Sequence, residues 1–94
     1  VSDDKNIFIA TKQGEIISLT SDLGHNAKLK FPFAHFLGLI LSGEKLYALE
    51  KEGYIIEISK DLSAHTVHEV DMDDGYVYID GKIFFVHDEY ISVE

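Results

Sequence analysis

Asn6–Leu23 reads NIFIATKQGEIISLTSDL, and Lys45–Leu62 reads KLYALEKEGYIIEISKDL. Laid one above the other at a constant offset of 39, six of the eighteen positions are identical and no gap is needed. The identities are Lys12/Lys51, Gly14/Gly53, Ile16/Ile55, Ile17/Ile56, Asp22/Asp61 and Leu23/Leu62. Ile7/Leu46, Phe8/Tyr47, Leu19/Ile58 and Thr20/Ser59 keep their chemical character. A third, clipped copy follows in Lys82–Glu94 (KIFFVHDEYISVE), where Lys82-Ile83-Phe84 aligns with Lys45-Leu46-Tyr47. The approaches to these copies also match, Leu41-Ser42-Gly43 against Ile79-Asp80-Gly81. A chain that repeats itself in this way is read as recurring structural units.

Each copy holds two strands and a turn. Ile7–Thr11 and Leu46–Glu50 are β-branched, aromatic or aliphatic runs of strand length. Lys12-Gln13-Gly14 and Lys51-Glu52-Gly53 then supply a charged turn ending in glycine, which tolerates positive φ. Ile16–Thr20 and Ile55–Ser59 give the returning strand, and Thr20–Asp22 and Ser59–Asp61 close the unit. Two more strands fall between copies, at Ala27–Phe31 or Thr66–Val70, then at Phe36–Leu41 or Tyr76–Ile79. Ala34–Leu41 has some helical character in composition, yet it follows Pro32 and contains Gly38, so it reads as a fully buried strand.

The predicted fold is all-β, with antiparallel four-stranded blades recurring about every 38 residues, the rhythm of a β-propeller. Apolar residues on both faces of such a sheet are buried only when like sheets stack on it. The most apolar strands, Phe36–Leu41 and Tyr76–Ile79, are expected innermost, and polar Thr66–Val70 outermost. Ser42–Gly53, SGEKLYALEKEG, resembles the repeat of PQQ-like and WD40-like propellers, with Gly43, Leu46, Ala48, Leu49, Glu50 and Gly53 in place. That resemblance implies a scaffold for protein partners. The chain has no tryptophan, so it lacks the Trp-Asp blade ending and the quinoprotein docking tryptophan, and quinone binding is not implied.

Ninety-four residues fit a single β domain or propeller segment, with blade units at about 1–31, 36–70 and 76–94. That is about two and a half blades, an incomplete ring, where propellers need about four to eight. Further blades from a longer or a second chain are therefore one expected kind of partner. The longest apolar run, Phe36–Leu41, is too short to span a bilayer. Absence of cysteine excludes disulfides and thiolate sites and fits a reducing compartment such as cytoplasm or nucleus.

The net charge of −9 is unevenly placed. Residues 1–47 carry five lysines and five acids, whereas residues 48–94 carry three lysines and twelve acids. With no arginine and few lysines, the chain is not expected to grip nucleic acid or an anionic membrane.

Candidate sites are few. Asp71-Met72-Asp73-Asp74-Gly75, with Asp80 returning from the next turn, could wrap calcium, although the spacing misses the usual loop by one residue. An acidic turn explains the same residues. His65 and His68 would share a face of a helix, but on a strand they point to opposite faces and form no chelate. Glu50 and Glu52 sit beside a turn, where solvated acids are expected, and no nucleophile elbow or phosphate loop exists. Neither catalysis nor a cofactor is expected. Phe31, Phe33 and Phe36 around Pro32 form either a wedge between blades or an anchor for a partner. Glu69, Asp71, Asp73 and Asp74 form a second candidate contact, suited to a cationic surface.

The leading functional expectation is a non-catalytic protein–protein interaction module or scaffold segment. One alternative is lectin-like binding in a ring completed by oligomerisation, with Tyr47, Tyr54, Tyr76, Tyr78 and Tyr90 as stacking residues. Another is an acidic nucleic-acid mimic that inhibits a basic protein.

Overall fold

A computed structural model describes residues 2, 6–20, 26–32, 34–70, 75–87 and 90–93. Ten strands occur among the described residues: β1 (Asn6–Ala10), β2 (Glu15–Thr20), β3 (Asn26–Lys30), β4 (Phe36–Ser42), β5 (Lys45–Glu50), β6 (Tyr54–Ser59), β7 (His65–Glu69), β8 (Tyr76–Ile79), β9 (Lys82–Val86) and β10 (Ile91–Val93). No helix long and apolar enough to cross a membrane occurs among the described residues. The strands form three antiparallel meanders, β1-β2-β3, β4-β5-β6-β7 and β8-β9-β10. The chain is all-β, and its sheets do not close into a ring.

The 39-residue spacing recurs in the backbone. β1, β2 and β3 open at residues 6, 15 and 26, and β5, β6 and β7 open 39 residues later, at 45, 54 and 65. Gly14 and Gly53 take positive φ, +86° and +102°, which a turn of this tightness requires. Each glycine N–H donates to the carbonyl three residues back, Thr11 at 3.2 Å and Glu50 at 3.1 Å. Each glycine carbonyl in turn accepts the N–H of the residue that follows the third strand, Phe31 and Val70, both at 2.8 Å. One hydrogen-bond pattern thus serves both turns.

The second sheet is the middle layer. On one face Leu46, Ala48, Ile56 and Ile58 pack with Phe8 and Ile16 of the first sheet. On the other, Tyr47, Leu49 and Ile55 pack with Ile79, Phe84 and Ile91 of the third. This double burial explains why β5 and β6 are apolar at successive positions and do not alternate strictly. Each fully buried side chain of this size contributes about 1.5–3 kcal/mol relative to exposure.

Two expectations are corrected. β4 is not fully buried: Phe36 is, but Leu37 to Ser42 are half-buried. The strand lies at an edge, hydrogen-bonded only to β5, and its flank is covered in part by β1 and β10. The third copy, moreover, keeps its place along the hairpin but turns over. Lys82 and Lys45 both follow two-residue turns, pairing with Ile79 and Ser42. Yet Tyr47 faces the third sheet, whereas Phe84, aligned with it in sequence, faces back toward the second. The side turned inward carries Val77, Ile79, Phe84, Val86 and Ile91. The opposite side carries Tyr76 and Tyr78, whose hydroxyls would lose water if pressed into an apolar layer.

The β6–β7 turn is organised by Asp61. Its Oδ1 accepts from Ser63 Oγ at 2.6 Å, Ser59 Oγ at 2.7 Å and the Ser63 N–H at 3.0 Å. Those bonds, Ser63 Oγ foremost, hold the carboxyl at about 2 against an ordinary 3.8. A depressed carboxyl stabilises the fold fully above its ordinary value and stops doing so as pH falls through its folded one. Chemical-shift titration of the Asp61 side chain should therefore show a midpoint near 2, and Asp61→Asn should remove the associated acid transition of this turn. A midpoint at the ordinary carboxyl value would show that the hydroxyl bonds do not persist in solution.

Candidate functional site

Where the first and second sheets meet, an open groove of about 290 Å³ runs along the surface. Phe31, Pro32 and Ala34, at the exit of β3, form one wall. Tyr54, Ile56 and Val67 form the other, with Glu50 and Glu52 completing the lining. The first wall is set by the Gly14 carbonyl, which holds the Phe31 N–H, and by the Phe31 carbonyl, which holds the Ala34 N–H at 3.2 Å. The Phe31 ring stands edge-on to Phe36 at 5.8 Å and to His65 at 5.0 Å.

Glu50 fixes the end of the groove. Its carboxylate accepts the His35 N–H at 3.2 Å and the Glu52 N–H at 2.7 Å, tying the approach to β4 to the β5–β6 turn. The residue is buried, and those bonds satisfy an acid that would otherwise be costly to desolvate. Glu52 is exposed, as is Glu69, which is the cross-strand neighbour of Tyr54 and so shares its face. The groove therefore joins an aromatic and aliphatic floor to an acidic border.

A second polar cluster lies on the opposite face of the middle sheet. Buried Glu57 accepts from Lys45 Nζ and meets His68 Nε2 at 2.9 Å, while Lys45 Nζ also reaches Asp80 at 3.1 Å. The hydrogen bond from Lys45 holds the Asp80 carboxyl below its usual range, and the hydrogen bond to Glu57 holds Lys45 above its own. Burial, reinforced by the charges of Glu57 and Asp80, pushes the Tyr47 phenol up. Lys82 Nζ donates to Ser42 Oγ at 2.8 Å on the same side. These contacts clasp the β8–β9 turn to the middle sheet.

The structure brings Phe31, Phe36 and Glu69 to the region of the groove, but in different roles. Phe31 is half-buried and lines it; Phe36, only 3% exposed, belongs to the core and supports Phe31 from behind. Asp80, the calcium candidate among the described residues, is engaged with Lys45. Phe33, Asp71, Asp73 and Asp74 lie outside the described residues. His65 and His68 point to opposite faces, toward Phe31 and Glu57 respectively. Among the suggested stacking tyrosines Tyr47 is buried and unavailable, whereas Tyr54, Tyr76, Tyr78 and Tyr90 are exposed. Tyr54 entered above only as a stacking residue for a glycan, and Val67 was not a candidate at all. A signal existed: Tyr54 stands where the first copy has Glu15, and Val67 where it has Lys28.

These observations define a layered antiparallel β-protein with an open, aromatic, acid-bordered groove. No family model matches the chain. It is similar to the plasminogen-binding protein PgbB of Helicobacter pylori strain J99, with 32% identity over 68 residues, 71% of this chain and 13% of that protein. It is also similar to the plasminogen-binding protein PgbB of strain 26695, with 29% identity over 68 residues, 71% of this chain and 12% of the other. The match thus spans about an eighth of the length of these relatives.

Proposed function

We propose that the chain is a non-catalytic protein-binding module, a scaffold segment with propeller-like repeats that engages a partner protein in the groove between its first two sheets. The observation that carries this reading is the groove itself: Phe31, Tyr54 and Val67 offer exposed apolar area beside the Glu52 and Glu69 carboxylates. Aromatic residues dominate binding hot spots, and an acidic border suits a segment that carries lysine or arginine. The name of the H. pylori relatives supports a protein partner and makes plasminogen the first to test.

The test is surface plasmon resonance of the chain on immobilised plasminogen. Binding is expected, weakening as salt screens the acidic border. Tyr54→Ala should lower affinity at least tenfold, which corresponds to about 1.4 kcal/mol. Tyr54 is 39% exposed, so its truncation should leave the melting temperature nearly unchanged. Absence of binding, or binding indifferent to Tyr54→Ala and Glu52→Gln, would defeat the reading. Displacement by a glycan would favour the lectin-like alternative, and salt-sensitive capture of a basic nuclease the mimic.

A further inference from the structure

β7 is the outermost strand of the middle sheet and pairs with β6 alone. The two ends of that ladder fix its inward bonds: the Val70 N–H donates to the Gly53 carbonyl at 2.8 Å, and the Ser59 N–H to the Ala64 carbonyl at 3.0 Å. In an antiparallel register such bonded pairs recur at every second residue, so Thr66 and His68 turn their backbone groups toward β6. The N–H and C=O groups of His65, Val67 and Glu69 therefore point away from the sheet, and no described backbone group meets them. The other sheet edges carry features that hinder strand pairing. β4 has a register break between Phe36 and Gly38 and is flanked by β1 and β10, and an isolated bridge joins Ile7 of β1 to Ser2. β3 carries Lys28 and Lys30, while β8 and β10 have only four and three residues. β7 runs for five residues in unbroken register, with neither lysine nor proline.

The side chains beside this edge say what kind of strand fits it. His65, Val67 and Glu69 share the groove side of the sheet with Tyr54 and Ile56, their cross-strand neighbours. Val67 is 52% exposed. The exposed Glu52 and Glu69 carboxylates have no cationic partner among the described residues. A strand laid along β7 sets one side chain beside Val67 and the next one on that side beside Glu69. An apolar residue suits the first place and a lysine or arginine the second. The lysine-bearing edge of this chain itself does not match. On β3, Lys28 and Lys30 share one side while Ala27 and Leu29 take the other, and Lys28 already holds Glu15 at 2.9 Å.

We propose that the protein partner engages by strand addition: an extended segment pairs with β7 as a fifth strand of the middle sheet, placing an apolar side chain beside Val67 and a basic one, two residues away, beside Glu69. The inference rests on the reading of the groove as a protein-binding site. It assigns recognition of the segment's backbone to the β7 edge, and selection of its side chains to the groove and its acids.

The probe is a blocked peptide, Lys-Thr-Val-Thr-Val-Thr-Lys, which presents this pattern in either chain direction. Amide hydrogen exchange of the chain is followed by NMR with and without it. The Val67 N–H should exchange freely in the chain alone and slow by about tenfold or more with peptide in excess, while Thr66 and His68, already bonded to β6, change little. Val67→Pro removes the outward N–H without touching the β6 ladder and should abolish binding. Val67→Ala keeps that N–H and should retain binding. If the proline unfolds the chain, exchange in the unmodified chain decides alone. Peptide that perturbs Tyr54 but leaves Val67 unprotected would overturn strand addition and leave the groove reading standing. Peptide that binds nowhere would also overturn it, the groove reading then being judged by plasminogen and Tyr54→Ala. Protection of Val67 in the free chain that grows with protein concentration would give the edge to a second copy and likewise overturn the proposal.

Discussion

Gly14→Ala is expected to lower the melting temperature by about 10–20 °C, the equivalent of roughly 3 kcal/mol for a domain of this size. Two effects add. At φ +86° an L side chain pays left-handed strain, about 1–2 kcal/mol. The new Cβ would also stand 2.3 Å from the Phe31 carbonyl oxygen and 3.1 Å from that of Ala34, both backbone atoms that cannot rotate away. Relief requires moving the segment after β3, which breaks the hydrogen bond from the Phe31 N–H to the Gly14 carbonyl and displaces the groove wall. Gly81→Ala separates the two effects. Its φ is +77°, but nothing lies within 4 Å of the added Cβ, so only the strain remains and the fall should be about half as large or less. Thermal unfolding of both variants by circular dichroism makes the comparison. Equal losses would mean that the close approach to Phe31 is relieved without cost.

Phe84→Ala and Phe85→Ala should differ sharply although the residues are adjacent. Phe84 is fully buried, its ring centroid 4.4 Å from that of Tyr47, between the second and third sheets. Truncation there leaves a cavity and should cost about 3–5 kcal/mol. Phe85 points to the opposite side of the same strand and is 37% exposed, so its truncation should cost under about 1 kcal/mol. Denaturant unfolding monitored by Tyr fluorescence would give both values. The contrast also tests the orientation of the third sheet. If that sheet lay with the same face forward as the second, Phe85 would be the buried residue and the order of the two effects would reverse.

The offset of 39 foretold the strand starts of the first two sheets because it rests on local chemistry. Gly14 and Gly53 permit the turns, and the runs around Phe8 and Tyr47 favour extended backbone. Successive apolar residues in Leu46–Leu49 and Ile55–Ile56 likewise announced a sheet covered on both sides. The candidate site was legible only in fragments. Phe31 stood out for its apolar neighbours, but Tyr54 and Val67, on β6 and β7, join it only through packing. Phe36, equally aromatic, turned inward, and nothing in the pattern Phe31-Pro32-Phe33 and Phe36 distinguishes a ring that lines a groove from one that supports it.

Strand-length β-branched, aromatic and aliphatic runs and turn residues therefore determined strand positions, hairpin pairing and the all-β class, since each depends on residues close together in the chain. Tertiary structure alone decided which side of the third hairpin faces inward. An amphipathic strand specifies two faces, but the choice between them follows from what the facing sheet offers and from where the hydroxyls of Tyr76 and Tyr78 can keep their water. The same long-range choice leaves Tyr76, Tyr78 and Phe85 on the outward side of the third sheet.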